Sequence, residues 1–121
     1  RGDAPAQALA ALDRGRLSLG EWRRALADLL VARDAYRRAP ITAEDLAQAL
    51  ADPATAAERR LGAAIALAAS DDLELRQRVR IAADASASEP MRIALAAVAD
   101  GEIEDAAIEQ ALSGARAKKV S

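Results

Sequence analysis

The chain has 121 residues, which fits a single domain, and it holds 35 alanines and 15 arginines but no histidine, cysteine or phenylalanine. These absences remove the commonest general base, thiol nucleophiles, disulfides and the usual transition-metal ligands. The formal net charge of −2 lacks the basic excess of a dedicated nucleic-acid binder. We therefore expect no enzyme, no catalytic residue, no metal and no cofactor.

Alanine has the highest helix propensity, so the sequence predicts an all-α fold of seven helices without strands. The first spans residues 5–12. The second begins at Ser18, which forms a capping box with Glu21, while Leu17 and Trp22 can form a hydrophobic staple. Its apolar positions recur at helical spacing to about residue 37.

Similar signals mark the third and fourth helices. Thr42 is predicted to cap the third helix with Asp45 as box partner, and Ile41 to pack against Leu46. This helix runs to about residue 51. After Asp52 and Pro53, a fourth helix with an alanine-rich inner face ends near residue 70.

The fifth helix, over residues 72–85, is predicted to be capped by Asp71 with Glu74 three residues later. One of its faces carries a row of charges that can form ion pairs along the surface: Asp72, Arg76, Arg80 and Asp84. Ser88 starts the sixth helix and Gly101 ends it. The seventh helix, over residues 103–112, is expected to close at Gly114.

The second half of the chain has a weak internal period of about 31 residues, with Ala64 matching Leu95 and Leu67 matching Val98. The residues that carry a family resemblance lie in its first unit: Asp52-Pro53, Arg59-Arg60, the run 63–67, Asp71-Asp72 and Arg76. They resemble the short HEAT-like repeat named after phycobilisome lyases. The resemblance implies two stacked helix pairs that act as a protein-binding scaffold.

We accordingly divide the chain into an N-terminal helical cap over residues 1–52, two HEAT-like pairs over 53–114, and a basic flexible tail over 115–121. The cap would cover the apolar side of the first pair, with Trp22 near Leu61 and Ile65. A compact, non-repeating helical bundle is the structural alternative.

The expected function is a non-catalytic helical-repeat module that binds another protein or another part of its own chain. The chain begins with Arg rather than Met and has a composition typical of GC-rich bacteria. We therefore expect it to be the C-terminal region of a larger bacterial protein, cytoplasmic and without a membrane span in this part. The predicted partner-binding residues lie on the second helix of each pair: Arg76, Gln77, Arg80, Asp84, Glu109 and Gln110.

The alternative function is nucleic-acid binding, since arginine suits phosphate and occurs here in pairs and rows: Arg23-Arg24, Arg37-Arg38, Arg59-Arg60, and Arg76, Arg78 and Arg80. Acidic neighbours and a pI near 5.2 weigh against it.

The segment 15–21 resembles the second half of a calcium-binding EF-hand loop. The first half offers Ala10, Leu12 and Arg14 where carboxylates are needed, so a hard cation would lack oxygen ligands. Acidic clusters near residues 72 and 104 are explained by the helix dipole, which favours negative charge in the first turn.

We predict that millimolar Ca²⁺ or Mg²⁺ leaves the melting temperature unchanged, because an ion that binds the native state alone must raise it. Thermal denaturation followed by circular dichroism, with and without each ion, measures this. A rise of several degrees with Ca²⁺ would contradict our interpretation of the 15–21 loop.

Overall fold

The computed structural model describes residues 12–31, 42–70 and 72–120, and the side chains of residues 12–29, 42–70 and 72–113. Within these ranges the chain is all-α, with six packed helices and no strand. The helices are α1 (Leu19–Val31), α2 (Ala43–Ala51), α3 (Ala57–Ala69), α4 (Leu73–Ala85), α5 (Glu89–Asp100) and α6 (Asp105–Val120).

Side chains fix the starts of the first two helices as the sequence predicts. The Ser18 amide donates to Glu21 Oε1 at 2.9 Å, and the Glu21 amide donates to Ser18 Oγ at 3.1 Å. Thr42 and Asp45 form the same reciprocal pair before α2, with both bonds at 3.1 Å. Each box satisfies two backbone N–H groups that the helix itself leaves without partners.

The cap of α4 differs from its prediction. Asp72, rather than Asp71, is the N-cap and accepts a hydrogen bond from the Glu74 amide at 2.9 Å, because the helix begins only at Leu73. Asp71 and Asp72 carry the same side chain, and either can cap a helix. The sequence alone therefore does not determine which of them is the N-cap.

Both ends of α5 agree with the sequence, whereas the end of α6 does not. Ser88 Oγ accepts from the Met91 amide, and Gly101 adopts the left-handed conformation with φ of 76°. Helix α6 continues through Gly114 to Val120, so the predicted end at Gly114 is wrong. A glycine inside a helix costs only about 1 kcal/mol, and the following residues, mostly alanine and lysine, favour helix.

Several predicted features lie outside the described residues. They are the first helix over most of its length, the second helix beyond residue 31, and the contact between Ile41 and Leu46. None of the described helices combines the length and the apolar character that crossing a bilayer requires.

Helix α3 lies at the centre of the domain and contacts each of the other five helices. All eight residues from 61 to 68 are buried, so this helix has no solvent face along its middle turns. Its side chains there are alanine apart from one glycine, two leucines and one isoleucine. Small side chains let neighbouring helices approach closely, which is how a chain poor in aromatics fills its core.

Trp22 is the largest buried side chain of the described core, with 1% of its surface exposed. Its indole Nε1–H donates to the Leu12 carbonyl oxygen at 3.1 Å. A Cβ atom at Gly62 would lie 3.2 Å from that oxygen and 3.4 Å from Trp22 Cζ2, so the indole is seated on the glycine of α3. The sequence places Trp22 near Leu61 and Ile65, and the described contact is with Gly62, the residue that follows Leu61 on α3.

Two polar contacts hold the segment before α1 against the start of α3. Arg59 donates from Nε and Nη2 to the Asp13 carboxylate at 2.7 and 2.9 Å, and the Arg14 amide donates to Glu58 Oε2 at 3.0 Å. The hydrogen bonds from Arg59 lower the pKa of Asp13 below its usual value. A lowered folded-state pKa stabilises the fold above the pKa of the unfolded chain, and this contribution is lost as the pH falls through the folded value.

We expect Trp22→Ala to destabilise the whole domain by about 3 to 5 kcal/mol, because it empties the hollow at Gly62 and leaves the buried Leu12 carbonyl without its donor. Trp22→Phe should cost less, since the ring still fills much of the space. Urea denaturation followed by circular dichroism measures both variants. A loss below about 1 kcal/mol for Trp22→Ala would show that α1 is not part of the cooperative core.

Candidate functional site

The six predicted partner-binding residues lie on two helices. Helix α4 carries Arg76, Gln77, Arg80 and Asp84, and helix α6 carries Glu109 and Gln110. The two arginines are half-buried and the other four residues are exposed. Helices α4 and α6 do not form an extended contact with each other, and α5 packs against both of them. The structure therefore does not unite the six residues into a single surface.

Two of these side chains are engaged in contacts within the domain. Arg80 forms an ion pair with Asp100 at the end of α5, so its partner lies on another helix rather than along its own. Glu109 lies 3.7 Å from Arg14, measured from Oε2 to Nη1, which links α6 to the segment before α1. Both contacts are partly exposed and are expected to add little stability each.

Arg76 borders an open cleft of about 560 Å³ between α1, the end of α3 and the α5–α6 turn. We call it the arginine cleft, and its lining residues are Gly20, Arg23, Arg24, Ala27, Ile65, Ala68, Ala69, Arg76, Val98, Gly101, Ile103 and Asp105. Apolar residues from α1, α3 and α5 form much of its lining, and three guanidinium groups reach it.

The three arginines of the cleft differ in their surroundings. Arg23 donates from Nη1 to Asp105 at 2.6 Å and from Nη2 to the Ile103 carbonyl at 3.0 Å, which ties α1 to the α5–α6 turn. Arg76 Nη1 lies 4.0 Å from the place of a Cβ at Gly101, near the carboxyl end of α5, where positive charge is favoured. Arg24 is exposed, and together with the hydrogen bonds from Ser18 its charge lowers the pKa of the Glu21 carboxyl three residues earlier.

A second concave surface lies at the other end of α4. Two adjoining hollows of about 490 and 200 Å³ share Ala51, Arg60 and Ala85, and most of their lining is apolar. Ile81, with 58% of its surface exposed, stands beside the smaller hollow. Arg60 donates from Nε to the Leu50 carbonyl at 3.1 Å, so this arginine serves the fold.

Many of the described carboxylates act as helix caps or ion-pair partners. Over the ranges that the structure describes, no three Asp or Glu residues are grouped in a way that could hold a metal ion. The hydrogen bonds from Ser18 lower the pKa of Glu21, as expected for a capping carboxylate. Glu21 belongs to the loop that resembles an EF-hand, and its role there is structural.

Comparison of the sequence with protein-family models, with curated proteins and with solved structures finds no match. Any functional inference therefore depends on the geometry of the chain itself. The sequence shows Arg23 and Arg24 as a basic pair but does not indicate that they lie near Arg76. Their separation of about fifty positions gives no signal of proximity until the helices are packed.

We predict that Arg23→Ala lowers the free energy of unfolding by about 1 kcal/mol, because it removes two hydrogen bonds between α1 and the α5–α6 turn. Arg24→Ala should change stability by less than about 0.5 kcal/mol, since this side chain is exposed and forms no described hydrogen bond. Paired urea denaturation curves of the two variants test this difference. Equal losses would mean that Arg24 also has a structural role.

Proposed function

We propose that this domain is a non-catalytic protein-interaction module that binds a segment of another protein, or of another part of its own full-length chain, in the arginine cleft. The observation that carries the proposal is that Arg23, Arg24 and Arg76, from two separate helices, line one open cleft together with small and apolar residues. A concave apolar surface with a few charged groups at its edge is the usual form of a recognition site. Of the predicted partner-binding residues, Arg76 is the one retained in this site.

The chemistry of the cleft favours binding over catalysis. Arginine stays protonated in proteins, so it can recognise anions but is a poor proton donor or acceptor in a reaction. The carboxylate on the described lining, Asp105, is 2.6 Å from Arg23 and acts as its ion-pair partner. We accordingly assign the cleft a recognition role.

We also propose that α3–α4 and α5–α6 are divergent copies of one HEAT-like helix pair. Supporting this, the matched positions Ala64 and Leu95 are both fully buried, and Leu67 and Val98 are 0% and 2% exposed. The central position of α3, which contacts five helices, is equally compatible with the alternative of a compact bundle. A cytoplasmic bacterial location remains part of the proposal, as the absence of cysteine is consistent with it.

Nucleic-acid binding is the second candidate, because three guanidinium groups at one cleft would also suit phosphate. The ion pairs weigh against it. Carboxylates neutralise arginines on four of the six described helices and on the loop before α1: Arg14, Arg23, Arg59, Arg78, Arg80 and Arg92. The net charge of −2 further opposes the approach of a polyanion.

Photo-crosslinking in the intact protein tests the proposed function. A benzophenone amino acid placed at Ala69, in the cleft, should crosslink one protein segment, and the same group at exposed Gln48 on α2 should not. The crosslink should weaken when Arg24→Glu is added, and the identified segment should bind the purified domain directly. Equal crosslinking from both positions, or none from Ala69, would contradict the proposal.

Fluorescence anisotropy with labelled single- and double-stranded 20-mers of DNA tests the second candidate. We expect no specific binding at 50 or 200 mM salt. Binding whose logarithm falls steeply with the logarithm of salt concentration, and which Arg24→Glu abolishes, would favour the nucleic-acid function instead.

A further inference from the structure

We infer that the domain associates with a second copy of itself through the exposed face of α4, as an antiparallel pair of α4 helices related by a two-fold axis at Gln77. We call this face the α4 stripe and define it by Leu73, Gln77 and Ile81. None of these three residues lines the arginine cleft, so the inference goes beyond the proposed function and does not depend on it.

The α4 stripe holds two large apolar side chains that the domain leaves in solvent. Leu73 is 81% exposed and Ile81 is 58% exposed, and they are two of the four large apolar residues exposed in the described ranges. They lie about two helical turns apart, and Gln77, midway between them, is also exposed. A single apolar side chain on a surface is common, whereas two on one helix face form a surface that association can bury.

The order of side chains along the stripe is the same from either end, namely apolar, amide, apolar. A two-fold axis perpendicular to α4 at Gln77 therefore brings Leu73 of each copy beside Ile81 of the other. At the axis Gln77 meets its own copy, and an amide has both donors and an acceptor, so two identical amides can form a hydrogen bond. A charged side chain there would repel its copy. The occupant that this face fits is therefore a second copy of the chain.

Charges beside the stripe favour the antiparallel direction. Glu74 lies one turn before Arg78 on the flank of α4 that faces α2, where Arg78 Nη1 is 3.5 Å from Glu44 Oε1. In an antiparallel pair this flank faces the same flank of the other copy, so each Glu74 comes near an Arg78 of opposite charge. A parallel pair would turn Glu74 toward the other flank, where Arg80 is already paired with Asp100.

Arg78 keeps capacity for a second carboxylate while it contacts Glu44. A guanidinium group has five N–H donors, and a single contact at 3.5 Å uses few of them. The two side chains are 45% and 63% exposed, so a carboxylate from solvent can reach the arginine. Exposed ion pairs add little affinity, and their role here is to set the direction of pairing.

The size of the stripe sets the strength of the association. Helix α4 has 13 residues, which gives it a length of about 20 Å. A face of one such helix buries less than the roughly 1,200 Å² that a stable protein pair needs. We therefore expect a weak dimer that forms as the protein concentration rises.

Sedimentation equilibrium of the 121-residue chain tests the association. The weight-average mass should rise from 12.6 kDa toward twice that value between about 5 and 500 μM. Ile81→Glu and Leu73→Glu should hold the mass at the monomer value, because each would press a charge against an apolar side chain of the other copy. Ile93→Glu is the matched control and should associate as wild type does, since this isoleucine is 52% exposed but lies on α5. Each variant is checked for a native circular dichroism spectrum.

Disulfide crosslinking tests the direction of pairing, because the chain has no cysteine of its own. Under mild oxidation Gln77→Cys should form a covalent dimer, and a mixture of Leu73→Cys with Ile81→Cys should form the mixed dimer. Neither of the last two variants should crosslink alone, since its two copies lie about 12 Å apart along the antiparallel pair. Gln110→Cys, at an exposed glutamine of α6, should remain monomeric.

The inference is overturned if the mass stays at the monomer value at the highest concentration, or if Ile93→Glu disrupts association as strongly as Ile81→Glu. Crosslinking of Leu73→Cys alone, in place of the mixed dimer, would mean that the helices are parallel and would overturn the arrangement. The Ala69 crosslink of the proposed function is read out on a different surface, so failure of one experiment leaves the other unaffected.

Discussion

The burial of α3 on all sides is the constraint on which the rest of the domain depends. A helix that contacts five others can have no large side chain where those neighbours approach closely. The packing around Gly62 is close. A Cβ atom at this position would lie 3.2 Å from the Leu12 carbonyl oxygen and 3.4 Å from side-chain atoms of Trp22 and Leu26. The alanines of the middle turns also let neighbouring helices approach α3 closely. Larger residues of the other helices pack around it.

The cleft is a consequence of this packing. At its amino-terminal half α3 is covered by Trp22, whose large ring compensates for the small side chains of the helix. Towards the carboxyl end of α3 the described residues supply no side chain of comparable size, and Arg23 holds α1 to the α5–α6 turn. The hydrogen bonds of Arg23 to Asp105 and to the Ile103 carbonyl connect α1 with the α5–α6 turn but do not fill the space between them. The open volume of the cleft lies beside Ala68 and Ala69, where the described residues of the core have small side chains.

Local chemistry explains which features the sequence could predict. The boxes at Ser18 and Thr42, and the left-handed glycine at position 101, involve groups a few residues apart, and they appear as expected. The predicted helix end at Gly114 is wrong because a glycine permits a helix end but does not require one. The cleft itself could not be predicted, since Arg24 and Arg76 meet only after α1 and α4 have both packed near the same end of α3, and the helical period carries no information about that meeting.

Several arginines connect helices in this core, which has few bulky side chains. Long guanidinium side chains reach from one helix to the backbone or carboxylates of another, as Arg59 does to Asp13 and Arg60 to the Leu50 carbonyl. Such arginines replace part of the contact that aromatic residues would give elsewhere, so an arginine row in an alanine-rich chain is first a structural feature. Arg24 differs because it is exposed on the lining of the cleft, and this exposure is why the proposed function singles it out among the arginines.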